Sequence, residues 1–214
     1  MKKDLGHLRE IYKKSKINKR SLGDNPLLIF SKWFSEAETH PMIREPNAFK
    51  LSTIGLDGFP NARMVLLKSF GDDGFIFCTN YNSFKGREIK INPKVLISFY
   101  WSELERQVII KGTVTKTSNK ISDQYFNSRP TNSKISALVS NQSEIIKNRS
   151  VLDNQHAILK SRYKNRSPKR PEHWGAYNVT PNYYEFWQGR EDRLHDRIIY
   201  TIKSNNWEIN RLSP

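Results

Sequence analysis

The chain reads as mainly β: an antiparallel sheet, closed into a barrel, with flanking helices. Two observations predict this. Short runs rich in aromatic and β-branched residues recur along the chain, and tight turns built on Asp and Gly separate them, as at Leu56-Asp57-Gly58-Phe59-Pro60 and Gly71-Asp72-Asp73-Gly74. A third narrows the architecture: helical periodicity is confined to the start of the chain, a short stretch after residue 82 and a block after residue 117. Many short antiparallel strands favour closure, because a barrel leaves no unpaired edge.

The elements follow in order. Residues 4–20 read as a basic, poorly amphipathic helix followed by a loose arm. Asp24-Asn25-Pro26 starts a helix, with Pro suited to the first turn. Leu27, Phe30, Phe34 and Ala37 give it one buried face, and it ends near Thr39. Strands are expected at Phe49 to Ile54, Asn61 to Phe70 and Phe75 to Thr79. A short helix from Ser83 to Ile91 closes at Asn92-Pro93. Val95 to Trp101 and Gln107 to Lys116 form a hairpin around Ser102-Glu103-Leu104-Glu105. A helical block then runs from Ser118 or Asn119 through Phe126, from about Ser133 to Val139, and from about Ser143 to Lys164. Strands resume at Trp174 to Val179, Tyr183 to Trp187 and Arg197 to Ile202.

Length and charge bound the function. At 214 residues the chain can bury a proper core in one domain with attached helices. The single cysteine, Cys78, excludes an internal disulfide and a cysteine-rich zinc site, and the five histidines lack paired metal spacing, so no metal is expected. No apolar run is long enough to span a bilayer and the N-terminus lacks a signal-peptide core, which points to a cytoplasmic protein without a membrane partner. The net charge is +15, of which residues 1–20 and 147–173 each carry +6. Such a distribution fits solvated helices or arms, with nucleic-acid binding as the minor reading.

Several segments carry candidate chemistry. In an alternating strand Arg193, His195 and Arg197 project from one face, either as an anion site or as ordinary ion pairs with Asp192 and Asp196. Arg63 and Lys68 bracket the apolar run Met64-Val65-Leu66-Leu67 on opposite strand faces, serving different ligand groups or reaching water from the strand ends. Ser83 and Lys85 open a helix, where amide donors and a positive dipole end suit phosphate, although plain capping by Ser83 explains the same residues. Tyr125, Arg129 and Ser133 recur at intervals of four, and Gln142-Ser143 adds donors. No Gly-x-Gly-x-x-Gly or P-loop is present.

Together these segments resemble the pyridoxamine 5′-phosphate oxidase family across nearly the whole chain. The resemblance rests on RMVLLK (63–68), ERQV (105–108), YFNSRP (125–130), SNQS (140–143), and EFWQG with RLHDR (185–197). It implies an FMN-binding split β-barrel, forming a homodimer with the flavin at the subunit interface. A mobile basic segment at 1–20 would precede a single domain at 21–214, with a helical insert at about 118–166. By motif, Arg63, Met64, Val65, Leu66, Leu67, Lys68, Cys78, Thr79, Lys85, Gln107, Gln142, Ser143, Trp187 and Arg197 are the expected FMN contacts. Lys68, Tyr125, Arg129 and Ser133 would hold the substrate phosphate. Arg193, Leu194 and His195 would meet its ring, with Arg193 and His195 catalytic, and Arg9 and Tyr12 belong to a segment that can close over it. The implied reaction oxidises pyridoxamine 5′-phosphate or pyridoxine 5′-phosphate to pyridoxal 5′-phosphate with O2 as acceptor. Phe84, Cys78 and Ala176 stand where the family commonly has Arg, Tyr and Gly. The alternatives are a split-barrel flavoprotein acting on another substrate, a flavin carrier, and a basic nucleic-acid module.

Overall fold

Eight strands carry the architecture: β1 (Ala48–Ile54), β2 (Pro60–Gly71), β3 (Gly74–Asn80), β4 (Lys94–Trp101), β5 (Arg106–Lys116), β6 (Trp174–Gln188), β7 (Asp196–Lys203) and β8 (Asn206–Leu212). The computed structural model describes residues 3–18, 22–204 and 206–214. The strands pair in the order β3-β2-β1-β4-β5-β6-β7-β8, and an additional β3–β6 pairing closes the first six into a barrel. That closing seam is antiparallel, running from Phe75 opposite Val179 to Asn80 opposite Trp174. The expectation of a closed antiparallel barrel is therefore met. Among the described residues the helices are α1 (Pro26–Thr39), α2 (Phe84–Ile91), α3 (Asn119–Ser128), α4 (Thr131–Val139) and α5 (Ser150–Arg162).

The chain divides into two units by its internal contacts. The first comprises residues 1–50, 96–111 and 181–214, and the second 51–95 and 112–180. In the first unit α1 begins where sequence predicts, with the Asn25 side chain accepting from Leu27 N–H and Pro26 in the first turn. Its buried face is Phe30, Trp33 and Ala37; the expected Leu27 and Phe34 are only half-buried. Phe30 packs 5.2 Å from Phe99, and Trp33 meets Phe186 edge-on at 5.3 Å. Each such aromatic contributes roughly 2–3 kcal/mol of burial.

Residues 4–18 are not helical, and positions 19 and 20 of the expected helix and arm lie outside the described residues. Carboxylates far along the chain take the backbone donors a helix would need. Glu105 accepts from Lys13 N–H (3.3 Å) and Lys14 N–H (3.0 Å), and Asp196 accepts from Ile17 N–H (3.0 Å).

In the second unit β3 is buried on both faces, with Phe75 and Phe77 fully enclosed. Gly86 in α2 permits a close approach: a Cβ there would lie 2.1 Å from the Tyr81 carbonyl oxygen. α3 starts at its Ser118 cap as expected. α5 begins at Ser150, seven residues later than the sequence suggested. Ser143 adopts φ 77°, a left-handed conformation that cannot start a helix, and its hydroxyl accepts from Phe84 N–H instead. α5 buries none of its residues, as a solvated basic helix should.

Candidate active site

A cavity of about 450 Å³ opens in the second unit. β2 supplies Met64, Val65, Leu66 and Lys68, β3 supplies Cys78, Thr79 and Asn80, and α2 supplies Lys85. Tyr125, Arg129, Ser136, Ala137, Ser140, Gln142 and Trp174 complete the wall. Three cations line it and no carboxylate does, so the site carries uncompensated positive charge suited to an anion.

Lys85 sits in a neutral cradle. Its ammonium donates to Gln142 Oε1 (3.1 Å), Thr79 Oγ1 (3.3 Å) and Ser83 Oγ (3.4 Å). Burial, with repulsion from Arg63, lowers its pKa to about 8, against the partial pull of Glu88. The α2 amides offer less than the sequence implied. Gly86 N–H is capped by Ser83 and Phe84 N–H is held by Ser143, so Lys85 supplies the positive charge here. Ser83 is thus an ordinary cap, and Ser143 braces it from outside.

The other end of the cavity is aromatic and cationic. Lys68 Nζ lies 5.3 Å from the centre of the Tyr125 ring, which stacks on Trp174 at 6.1 Å. The Arg129 guanidinium covers the Trp174 ring at 4.6 Å. Its Nη1 is buried with no hydrogen-bond partner, and burial depresses its pKa. Ser133 stands half-buried in the first turn of α4, one turn before the lining residues Ser136 and Ala137. Cys78 lines the cavity half-buried against Phe126, Ala137 and Trp174, and burial pushes its thiol up to about 12, which keeps it a neutral thiol.

Arg63 stands behind the lining rather than in it. Its Nη2 donates to Glu88 Oε2 at 3.0 Å, and its Nη1 bonds Thr53 Oγ1. The buried Glu88 also accepts from Asn61 Nδ2 at 2.7 Å and from Thr53. Desolvation alone would raise the Glu88 pKa, but these hydrogen bonds and the Arg63 charge hold it below the usual carboxylate range. Sequence reasoning missed Glu88, although its position one turn after Lys85 on α2 could have flagged it. It also missed Ser136 and Trp174, whose only local signal is small or aromatic character, and it gave Ser140 no role although the SNQS run contains it.

The first unit assembles a second group of expected residues. The Tyr12 ring lies edge-on to Trp187 (5.7 Å) and to His195 (5.6 Å), and Trp187 and His195 are 4.8 Å apart. Residues 191–195 do not continue the strand. Glu191–Arg193 is a 3₁₀ turn with Asp192 and Arg193 at φ 54° and 60°, so the predicted alternation of Arg193, His195 and Arg197 on one face does not exist. Arg193 and Leu194 are exposed. His195 Nδ1 accepts from Arg190 N–H at 3.1 Å, and burial plus the Arg193 charge lower its pKa.

Arg197, on β7, gives Nε and Nη2 to Glu185 (2.8 and 2.7 Å) and Nη1 to the Ser213 carbonyl. Asp196 does not pair with it: its partners are Arg190 at 3.0 Å and Arg211. Arg9 is exposed and donates to the Gly6 carbonyl, and Gln107 is half-buried on β5. Among the described residues no group of three or more His, Cys, Asp or Glu could hold a metal, and no helix is long and apolar enough to cross a membrane.

Comparison with known proteins places the chain in a family. Residues 35–156 match the family model described as pyridoxamine 5′-phosphate oxidase, and residues 174–214 match the pyridoxine 5′-phosphate oxidase C-terminal dimerisation region. The chain is 52% identical to a pyridoxine/pyridoxamine 5′-phosphate oxidase of Flavobacterium johnsoniae, over 98% of this chain and 99% of that one. A protein of the same name from a Nostoc species is 48% identical over the full length of both. Among solved structures, PhzG from Burkholderia lata, in complex with tetrahydrophenazine-1-carboxylic acid, superposes with a TM-score of 0.86 at 29% identity. That alignment covers 91% of this chain and 95% of PhzG. A pyridoxamine 5′-phosphate oxidase-related, FMN-binding protein from Nostoc punctiforme shares the fold at a TM-score of 0.70 and 14% identity, over 91% and 99% of the two chains. With both family models and near-complete relatives in agreement, the chain belongs to the pyridoxamine 5′-phosphate oxidase family of oxidoreductases.

Proposed function

We propose that this protein is an FMN-dependent oxidase that converts pyridoxamine 5′-phosphate or pyridoxine 5′-phosphate to pyridoxal 5′-phosphate, acting as a cytoplasmic homodimer in vitamin B6 synthesis and salvage. The observation that carries the reading is the acid-free cavity with the buried, unpartnered Nη1 of Arg129. A charged donor left without an acceptor costs folding free energy, so its retention supports a phosphate ligand. The two polar ends of the cavity suit two phosphates. Lys85, Thr79 and Gln142 are assigned to that of FMN, and Lys68, Tyr125 and Arg129, with Ser133, to that of the substrate.

When bound, FMN supplies a two-electron acceptor for the substrate hydride, and O2 is the terminal oxidant, reduced to hydrogen peroxide. The chain's own residues bind and orient. Anchoring the substrate phosphate fixes the distance of its reactive carbon from the flavin, and such positioning supplies much of an enzyme's acceleration. By motif, Trp187 and Arg197 are assigned to the flavin, Arg193 and His195 to the substrate ring, and Arg9 and Tyr12 to a closing segment. From the amine, one O2 and one water yield the aldehyde, ammonia and peroxide; from the alcohol, O2 alone yields aldehyde and peroxide.

The test is direct. Purified protein should show a flavin spectrum and release peroxide with both phosphorylated substrates. Flavin retention without turnover of either would refute the substrate assignment, and failure to bind FMN at all would refute the cofactor. Arg193→Ala should impair turnover far more than FMN retention.

A further inference from the structure

We propose that His195 works as a neutral imidazole locked in its Nε2–H tautomer, donating a hydrogen bond to an acceptor atom of the substrate and taking no proton from it. This rests on the function proposed above and assigns His195 a role within it.

The lock is a backbone contact. His195 Nδ1 accepts from Arg190 N–H at 3.1 Å. In a neutral imidazole one ring nitrogen bears hydrogen and the other accepts. An accepting Nδ1 therefore places the proton on Nε2. To act as a base at Nδ1, the ring would have to break its bond to Arg190; at Nε2 the proton is already present.

The loop is shaped to keep that contact. Asp192 and Arg193 are consecutive non-glycine residues in the left-handed region, each costing on the order of 1–3 kcal/mol. Leu194 N–H closes the turn on the Glu191 carbonyl at 3.1 Å, which returns the His195 ring to Arg190. Arg190 grips the next residue as well, through Nη1 to Asp196 Oδ2 at 3.0 Å. It is thus a positioning residue for His195, acting with its backbone while its guanidinium pins the following position. Trp187 and Tyr12 flank the ring.

The charges around it also oppose protonation. Arg193 repels an imidazolium, and the Asp196 carboxylate is committed to Arg190, Arg211 and Ile17 N–H. Both burial and Arg193 shift His195 toward its neutral form.

Two measurements on the holoenzyme test the assignment. Long-range ¹H–¹⁵N spectra of histidine-labelled protein, with the His195 signals identified by their loss in His195→Gln, should show a pyridine-type Nδ1 and a pyrrole-type Nε2 near neutral pH. A protonated Nδ1 would overturn the proposal, whether or not the enzyme turns over. Kinetically, the glutamine amide can place an N–H close to the position of Nε2. His195→Gln should therefore keep kcat within about tenfold of wild type, whereas His195→Phe should lose at least a further tenfold. Equal loss in the two variants, or rescue of His195→Phe by added imidazole acting as a base, would count against the donor role. Wild-type protein inactive on both phosphorylated substrates would instead defeat the proposed function, and the tautomer would still be read from the spectrum.

Discussion

Lys85 gives the sharpest handle on the site, because its charge changes within an accessible pH range. Its pKa of about 8 leaves the ammonium roughly nine-tenths charged at pH 7 and one-tenth charged at pH 9. The phosphate of FMN, with a second pKa of about 6, stays dianionic throughout. If the phosphate binds against Lys85, FMN affinity should fall about tenfold between pH 7 and pH 9, within the range of a charge-assisted hydrogen bond. Lys85→Met should weaken FMN at pH 7 by a comparable factor and flatten the pH profile. Riboflavin, which lacks the phosphate, should show neither effect. Flavin fluorescence titrations at fixed ionic strength read all of these.

General alkaline damage would lower affinity and stability together, and Lys85 titration would not. A lysine whose folded pKa is depressed binds fewer protons than its unfolded counterpart between about 8 and 10.5, so its contribution to the stability of the flavin-free protein rises with pH over that window. FMN affinity should thus fall over the same window in which the Lys85 contribution to apoprotein stability improves. An FMN affinity flat from pH 7 to 9, or a riboflavin profile of the same slope, would refute the placement of the phosphate at Lys85.

Two further outcomes follow from the other charged groups. Arg129→Met removes a buried donor with no partner, so the flavin-free protein should be at least as stable to urea as wild type. KM for pyridoxamine 5′-phosphate should rise roughly thirtyfold, for about 2 kcal/mol of lost phosphate binding, and an unchanged KM would move the substrate phosphate elsewhere. Glu88→Gln should cost about 2–3 kcal/mol at pH 7 by leaving Arg63 without its carboxylate. Because the folded Glu88 pKa is depressed, the wild-type advantage is complete above the ordinary carboxylate pKa of 4.5 and is lost as pH falls through the folded value. The gap between the wild-type and variant urea midpoints should therefore narrow as pH falls below the ordinary carboxylate pKa, and a gap that stays constant into strong acid would contradict the pairing.

The barrel was legible because its information is local. Asp-Gly and Gly-bounded turns, alternating strands and the Asn25-Pro26 start of α1 each act within a few residues. What escaped acts across the chain or against backbone preference. Residues 4–18 look helical until Glu105 and Asp196 claim their amides, contacts spanning about 90 and 179 positions. Ser143, Asp192 and Arg193 adopt left-handed backbone without being glycine, so no propensity announces the late start of α5 or the turn that ends the Arg193-His195-Arg197 alternation. In the cavity, the motif residues of β2, β3 and α3 were legible, while Trp174 in its wall and Glu88 behind it emerged only with the packing.

The arginines show why a strongly basic sequence did not by itself locate the anion site. Among the described residues, seven arginines are buried or half-buried as residues: Arg63, Arg87, Arg106, Arg129, Arg170, Arg190 and Arg197. Six of them face a carboxylate, namely Glu88, Glu144, Glu36, Asp123, Asp196 and Glu185 for Arg63, Arg87, Arg106, Arg170, Arg190 and Arg197 respectively. In each, the acid offsets the cost of withdrawing the guanidinium from water, so the pair is explained by folding alone. Arg129 has no such acid; its neighbours are the faces of Trp174 and Phe126, and its Nη1 is orphaned. Net charge counts all seven alike, whereas a ligand's anion is needed by the one whose charge folding leaves uncompensated. The contrast marks Arg129 as the arginine that folding leaves without an acid, an energetic criterion independent of any family motif, and it supports the proposed phosphate role.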